Sequence, residues 1–123
     1  MTRRVLVVDD SLMVRNVVTS VLEGEGFEVV QASDGYRALG QIRDHGPFDL
    51  MVCDVSMPRI NGLELLEELQ DASERPPVLF LSIEGHPKML KRARALGASG
   101  WLLKPVQADI LLAAVGKVLR EAA

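Results

Sequence analysis

Five short strand-like runs, each followed by a stretch with helical spacing, set the limits on what this chain can fold into. The runs are Val5–Val8, Phe27–Val30, Leu50–Cys53, Val78–Leu81 and Trp101–Leu103. Parallel neighbours in a sheet need a crossover between them, and a helix is the usual one. Regular alternation of this kind therefore predicts an α/β fold, a parallel sheet covered by helices on both faces. Right-handed crossovers leave few topologies for it. The run Leu50–Cys53 has no polar alternation and reads as a strand buried on both sides. It ends on Asp54, a carboxylate where an apolar strand has no use for a charge.

The helices are written in the spacing between the runs. Val14, Val17, Val18, Val21 and Leu22 recur on one face of the first. Ala38, Leu39 and Ile42 mark the second, and Leu63, Leu66 and Leu69 the third, with Glu64, Glu67, Glu68 and Asp71 off the stripe. The fourth sets Met89, Leu90, Ala93 and Leu96 among Lys88, Lys91, Arg92 and Arg94. Leu111, Ala114, Val115, Val118 and Leu119 share a face of the fifth. Asp10 or Ser11 can cap the first helix, and Ser33-Asp34-Gly35 opens the second. Gly24, Gly46-Pro47 and Gly97 close elements.

At 123 residues and 48% hydrophobic, the chain suits one compact domain with a real core. A net charge of −3 gives no reason to expect direct nucleic-acid binding. The single cysteine, Cys53, lies inside an apolar strand, which excludes an internal disulfide framework and suits a reducing compartment. The apolar run after Met1-Thr2-Arg3-Arg4 stops after four residues, too short for a signal peptide, and no segment approaches a membrane span. A cytoplasmic protein without membrane insertion is expected. His45 and His86 lack partners at metal-ligand spacing and read as surface residues.

Four of the runs finish on a polar group: Asp9-Asp10, Asp54, Ser82 and Lys104. Parallel strands bring their carboxyl ends to one edge, where open α/β sheets bind ligands. Singly, Asp9-Asp10 also reads as a helix cap, Ser82 as the start of a turn and Lys104 as a solvated loop residue. Together they form a chemical set. Carboxylates 4 Å apart repel by about 4 kcal/mol per pair at an effective dielectric near 20, so such a cluster holds a proton or a cation. Removing Asp9 or Asp10 is accordingly expected to leave the metal-free fold no less stable. Oxygen ligands with open positions favour a hard ion, Mg²⁺ before Zn²⁺ and with Mn²⁺ as a second fit. A lysine and a hydroxyl on the rim suit an incoming phosphoryl group, and a carboxylate among them can carry it as an aspartyl phosphate.

The ordered set resembles the receiver domain of two-component response regulators, the chemotaxis response regulator among them. The resemblance spans nearly the whole chain. It rests on Asp9-Asp10-Ser11 with Arg15, on Asp54, on Met57-Pro58 with Gly62, on Ser82, on Gly97-Ala98 and on Lys104-Pro105. It implies a flavodoxin-like (βα)5 sheet in the order 2-1-3-4-5, an order for which the chemotaxis regulator is itself a standard example. It implies Asp54 as phosphoacceptor, with Asp10, Asp54 and the backbone carbonyl of Ser56 on Mg²⁺ and Asp9 acting mainly through water. Lys104, on a cis bond to Pro105, would pair with the phosphoryl oxygens. Ser82 would move to bond that group, and the aromatic on the fifth strand would follow it inward. That aromatic is Trp101, where the family usually has tyrosine or phenylalanine. Ser56 and Glu84 stand at positions that tune phosphoryl lifetime in relatives.

The resulting expectation is a single receiver domain over residues 1–123, without an output domain. It is a phosphorylation-activated switch rather than a turnover enzyme. A sensor histidine kinase or histidine phosphotransfer protein would supply the group. A downstream protein would be met through the basic helix 86–96, strand 101–103 and helix 107–121. Two other readings stand beside it. One is a small Mg²⁺-dependent phosphatase or phosphotransferase with an aspartyl nucleophile; the other is a receiver-like adaptor that works without phosphorylation.

Overall fold

The computed structural model describes residues 2–72 and 75–122. In chain order its elements are β1 (Arg4–Val8), α1 (Leu12–Gly24), β2 (Glu28–Ala32), α2 (Gly35–His45) and β3 (Leu50–Asp54). There follow α3 (Gly62–Glu68), β4 (Val78–Ser82), α4 (Pro87–Ala95), β5 (Gly100–Leu103) and α5 (Ala108–Ala122). The five strands form one parallel sheet in the order β2-β1-β3-β4-β5, as expected.

Alternation along each strand divides the core into two layers. Val5, Val7, Leu50, Val52, Leu79 and Leu81 pack against Val18 and Leu22 of α1 and Leu111, Val115, Val118 and Leu119 of α5. Leu6, Val8, Met51, Cys53, Val78 and Phe80 face α2, α3 and α4 through Ala38, Ile42, Leu65, Leu66 and Ala93. Every residue of β3 and β4 is buried, which explains why those two strands lack polar alternation. Leu65, outside the expected stripe, is fully buried, because α3 is covered more broadly than an i, i+3 pattern suggests.

Two expectations need correction. Val17 belongs to the stripe by spacing but is 44% exposed, and Leu12 and Met13 beside it are exposed as well. On α1 only the Val18 and Leu22 ridge is fully buried, with Val14 and Val21 half-buried beside it. Strand β2 runs on to Ala32 rather than stopping at Val30. Gln31 is accommodated there because its side chain bonds Arg15 and Thr19 of α1, at 3.0 and 2.8 Å.

The ends of the helices follow from local chemistry. Ser11 caps α1 by accepting from Val14 N, so of the two cap candidates the serine is used. Asp34 caps α2 through Arg37 N at 2.8 Å. Asn61 and Glu64 form a reciprocal capping box on α3. Gly97 ends α4 at φ 87°, a left-handed conformation that glycine adopts freely.

Candidate functional site

Strands β1, β3 and β5 deliver Asp9, Asp54 and Lys104 to the carboxyl edge of the sheet, and the three meet there. Lys104 Nζ lies 3.0 Å from Asp9 Oδ2 and 3.3 Å from Asp54 Oδ1. The lysine is placed by its own backbone, which donates to Ser82 O at 2.7 Å and so extends the β4–β5 ladder by one bond. Its peptide bond to Pro105 is cis. Asp10, next to Asp9, is exposed, yet Asp9, Asp10 and Asp54 each offer an oxygen within 4.8 Å of the others.

Burial distinguishes the acids. Asp54 is 3% exposed, and its Oδ1 accepts weakly from Ser56 N at 3.3 Å. Loss of water, with the nearby charge of Asp9, raises its pKa to about 6; Lys104 and the Ser56 amide pull the other way. Burial alone would lower the Lys104 pKa, but its bond to Asp9 and the charges of Asp54 and Asp9 prevail, and the ammonium is held more firmly than usual. Asp9 is fully buried; its Oδ1 accepts from Ser11 N at 2.9 Å while Oδ2 faces Lys104. Asp9 thus ties the β1–α1 turn to Lys104, which argues against the expectation that it can be removed without loss. Arg15 secures the same turn from outside, donating to Asp9 O at 2.7 Å.

Ser82 is buried at the end of β4. Its hydroxyl donates to Glu84 O at 2.7 Å and accepts from Glu84 N at 3.2 Å, so it closes its own turn. Ser56 and Glu84 are exposed on the loops that follow β3 and β4. Trp101 is half-buried on the core side of β5, its ring 5.9 Å from that of Phe80 and tilted by 59°. The indole Nε1 is buried and has no hydrogen-bond partner among the described residues. Cys53 is packed inside, and burial with the charges of Asp54 and Asp9 pushes its thiol far above the reactive range. His45 and His86 lie at the surface, remote in role from the acids.

Sequence reasoning passed over an apolar surface beside this site. Leu12, Met13 and Val17 are 59%, 74% and 44% exposed. Met13, Val14 and Val17 line a cleft of about 200 Å³ together with Lys104, Pro105 and Val106. The signal was present in Leu12-Met13, apolar residues placed off the stripe of α1.

The profile of the response regulator receiver domain matches residues 5–116. The chain belongs to that family. This receiver is 34% identical over 120 residues to the chemotaxis protein CheY of Bacillus subtilis, covering 97% of this chain and 99% of that one. It is 46% identical over 107 residues to a protein-glutamate methylesterase/protein-glutamine glutaminase of Methanospirillum hungatei, covering 83% of this chain but only 31% of that protein. The solved structure of Vibrio cholerae CheY4 superposes with a TM-score of 0.91 at 35% identity, over 96% of this receiver and 99% of that chain. The chain is accordingly a phosphorylation-activated signalling switch. Among the described residues no helix is long and apolar enough to cross a membrane.

The donor set fits the cation that receivers take up through their acidic residues. It consists of carboxylate oxygens, which suit Mg²⁺. Among the described residues Lys104 is the one cation set against both Asp9 Oδ2 and Asp54 Oδ1, and burial beside Asp9 lets Asp54 hold its proton to about pH 6. A divalent cation would relieve both conditions.

Proposed function

We propose that Asp54 accepts a phosphoryl group from a histidine kinase or histidine phosphotransfer protein, and that the phosphorylated receiver signals by protein contact. The observation that carries this reading is the buried Asp54 carboxylate, held at the end of β3 beside two further acids and one lysine. An oxygen of Asp54 forms the new P–O bond as the donor's P–N bond breaks, and the donor imidazole leaves with the electron pair. The group rests on the protein itself until water removes it, so the receiver is not a turnover enzyme on a separate substrate.

Asp10, Asp54 and the Ser56 carbonyl would hold Mg²⁺ directly, with Asp9 behind them. The ion supplies positive charge that lets an anionic donor approach the acids and stabilises charge on the transferring group. Lys104 can exchange its contact with Asp54 for one with a phosphoryl oxygen, since its ammonium is compact and on a flexible stem. Ser82 has a hydroxyl within the same edge, released by giving up one turn bond to Glu84.

The donor's docking face is best read as Leu12, Met13 and Val17 with Pro105 and Val106. This exposed apolar surface adjoins Lys104 and so brings a bound partner alongside Asp54. Output is best read on the other side of Lys104, over α4, β5 and α5. There Leu103 and Ile110 are exposed at a cleft of about 340 Å³ that also involves Trp101. The basic residues Lys88, Lys91 and Arg94 are exposed on α4 and suit an acidic partner segment, while Arg92 is already paired with Glu67 of α3 at 3.0 Å.

The test is incubation with acetyl phosphate followed by intact-mass analysis. Wild type with Mg²⁺ gains one phosphoryl group; Asp54→Asn and wild type in chelator gain none. Equal labelling in the Asn variant or in chelator would overturn the assignment.

A further inference from the structure

Four polar or charged residues are buried among the described residues, and three of them, Asp9, Asp54 and Ser82, belong to the site. The fourth is Asp34. One of its oxygens caps α2 by accepting from Arg37 N. A cap needs only that one acceptor, and asparagine or serine would supply it equally well. The second oxygen pairs with Arg59 Nη2, and the Arg37 guanidinium stands 3.7 Å away.

Arg59 lies in the β3–α3 loop, three residues beyond Ser56. Its φ is 72°, and it is the one non-glycine residue with positive φ among those described. Arginine adopts that conformation at a cost that asparagine or glycine largely avoids. Its side chain offsets the cost by pairing with Asp34, with the guanidinium 6.0 Å from the centre of the Tyr36 ring. The neighbouring Ile60 lies so close to Gly35 that a methyl group added to that glycine would overlap it. The middle of the loop is therefore fastened to the first turn of α2. Its far end is fastened to β3: Gly62 N donates to Val55 O at 2.8 Å, and a Cβ on Gly62 would come 2.6 Å from Asp54 O.

We infer that Asp34 is a positioning residue for the site, acting through Arg59 to fix the stretch that carries Ser56 beside Asp54. The inference rests on the reading above that the Ser56 carbonyl and the acids share a divalent cation. With the Asp34–Arg59 tether released, the loop keeps its buried Val55 and Met57 and the Gly62–Val55 bond but loses its polar hold on α2, and Ser56 is placed less firmly over the acids. Groups bonded directly to a metal ligand typically change metal affinity about 10- to 100-fold, and a tether one step further back belongs at the low end.

Charge alone and tethering predict different signs, which makes the pair testable. Removing the cation Arg59 should tighten Mg²⁺ binding if only long-range charge matters, and weaken it if the tether matters. Mg²⁺ affinity of the full chain would be measured by calorimetry, with metal-free melting temperature as the control. The variants are Asp34→Asn, which keeps the cap, Arg59→Asn, which tolerates positive φ, and the double variant. We expect each single change to weaken Mg²⁺ binding about tenfold. The double change should be no worse than either, because both remove one interaction. Tighter or unchanged binding by Arg59→Asn, or losses that multiply in the double variant, would overturn the inference while leaving the metal site intact. Absence of Mg²⁺ uptake by wild type would overturn the metal reading and this inference with it.

Discussion

Lys104 and Asp9, 95 positions apart in the chain, are joined by a 3.0 Å ion pair beneath the surface of the site. The lysine touches Asp54 as well, so one ammonium offsets two carboxylates that would otherwise face each other. Before any phosphoryl group arrives, Lys104 is already a structural counter-ion.

Lys104→Met should therefore destabilise the metal-free protein, by roughly 2 kcal/mol. Breaking a buried pair costs more than this, but the lysine keeps some contact with solvent. Mg²⁺ should recover most of the loss by supplying the missing positive charge. Thermal melts with and without Mg²⁺ would show it. A variant that melts like wild type in chelator would mean that the ion pair contributes nothing.

Asp9 and Asp10 should behave differently, despite being neighbours. Asp10 is exposed, so Asp10→Ala should leave the metal-free melting temperature within about 2 °C of wild type and abolish Mg²⁺ binding. Asp9→Ala strands the Ser11 amide and removes a partner of Lys104, and should lower stability by about 1–3 kcal/mol. Equal melting temperatures for the two variants would contradict this division of roles.

Asp54 gives the metal-free protein a characteristic pH dependence. Its pKa rises on folding from 3.8 to about 6, so the folded state binds this proton more tightly than the unfolded chain. The stabilisation is complete below about pH 4 and is lost as pH climbs through 6, a difference of roughly 3 kcal/mol at most. In chelator, wild type should lose stability relative to Asp54→Asn between about pH 4 and pH 6. Parallel stability profiles for the two proteins would show that burial and Asp9 do not act on Asp54 as described.

Much of this was legible in the chain. The strand ends at Asp9, Asp54, Ser82 and Lys104 could be assigned to one edge because parallel strands leave no other arrangement. Their distances could not, since these depend on how β5 lies against β4 and on the turn after Lys104. Val17 was placed in the core because spacing reports a face and not how much of it is covered. The pairing of Asp34 with Arg59 was invisible for a different reason. Both are loop or cap residues 25 positions apart, and no periodicity links them.

Trp101 is the receiver's single tryptophan and reports on coupling across β4 and β5. Its buried Nε1, without a hydrogen-bond partner among the described residues, and its half-exposed ring leave the resting position incompletely satisfied. Mg²⁺ with a phosphoryl mimic such as beryllofluoride should change its emission. The change should be much smaller in Ser82→Ala, which still binds the mimic. An unaltered spectrum in wild type at saturation would show an indole fixed in place, and equal changes in both proteins would break the link to Ser82.

The central claim is that the reactive oxygen belongs to Asp54. Borohydride reduces an aspartyl phosphate to homoserine, leaving a permanent mark where the group was carried. Wild type treated with acetyl phosphate and Mg²⁺, then reduced and digested, should yield homoserine at position 54 and nowhere else. Homoserine at position 9 or 10, or none at 54 in protein whose intact mass shows a phosphoryl group, would contradict the account.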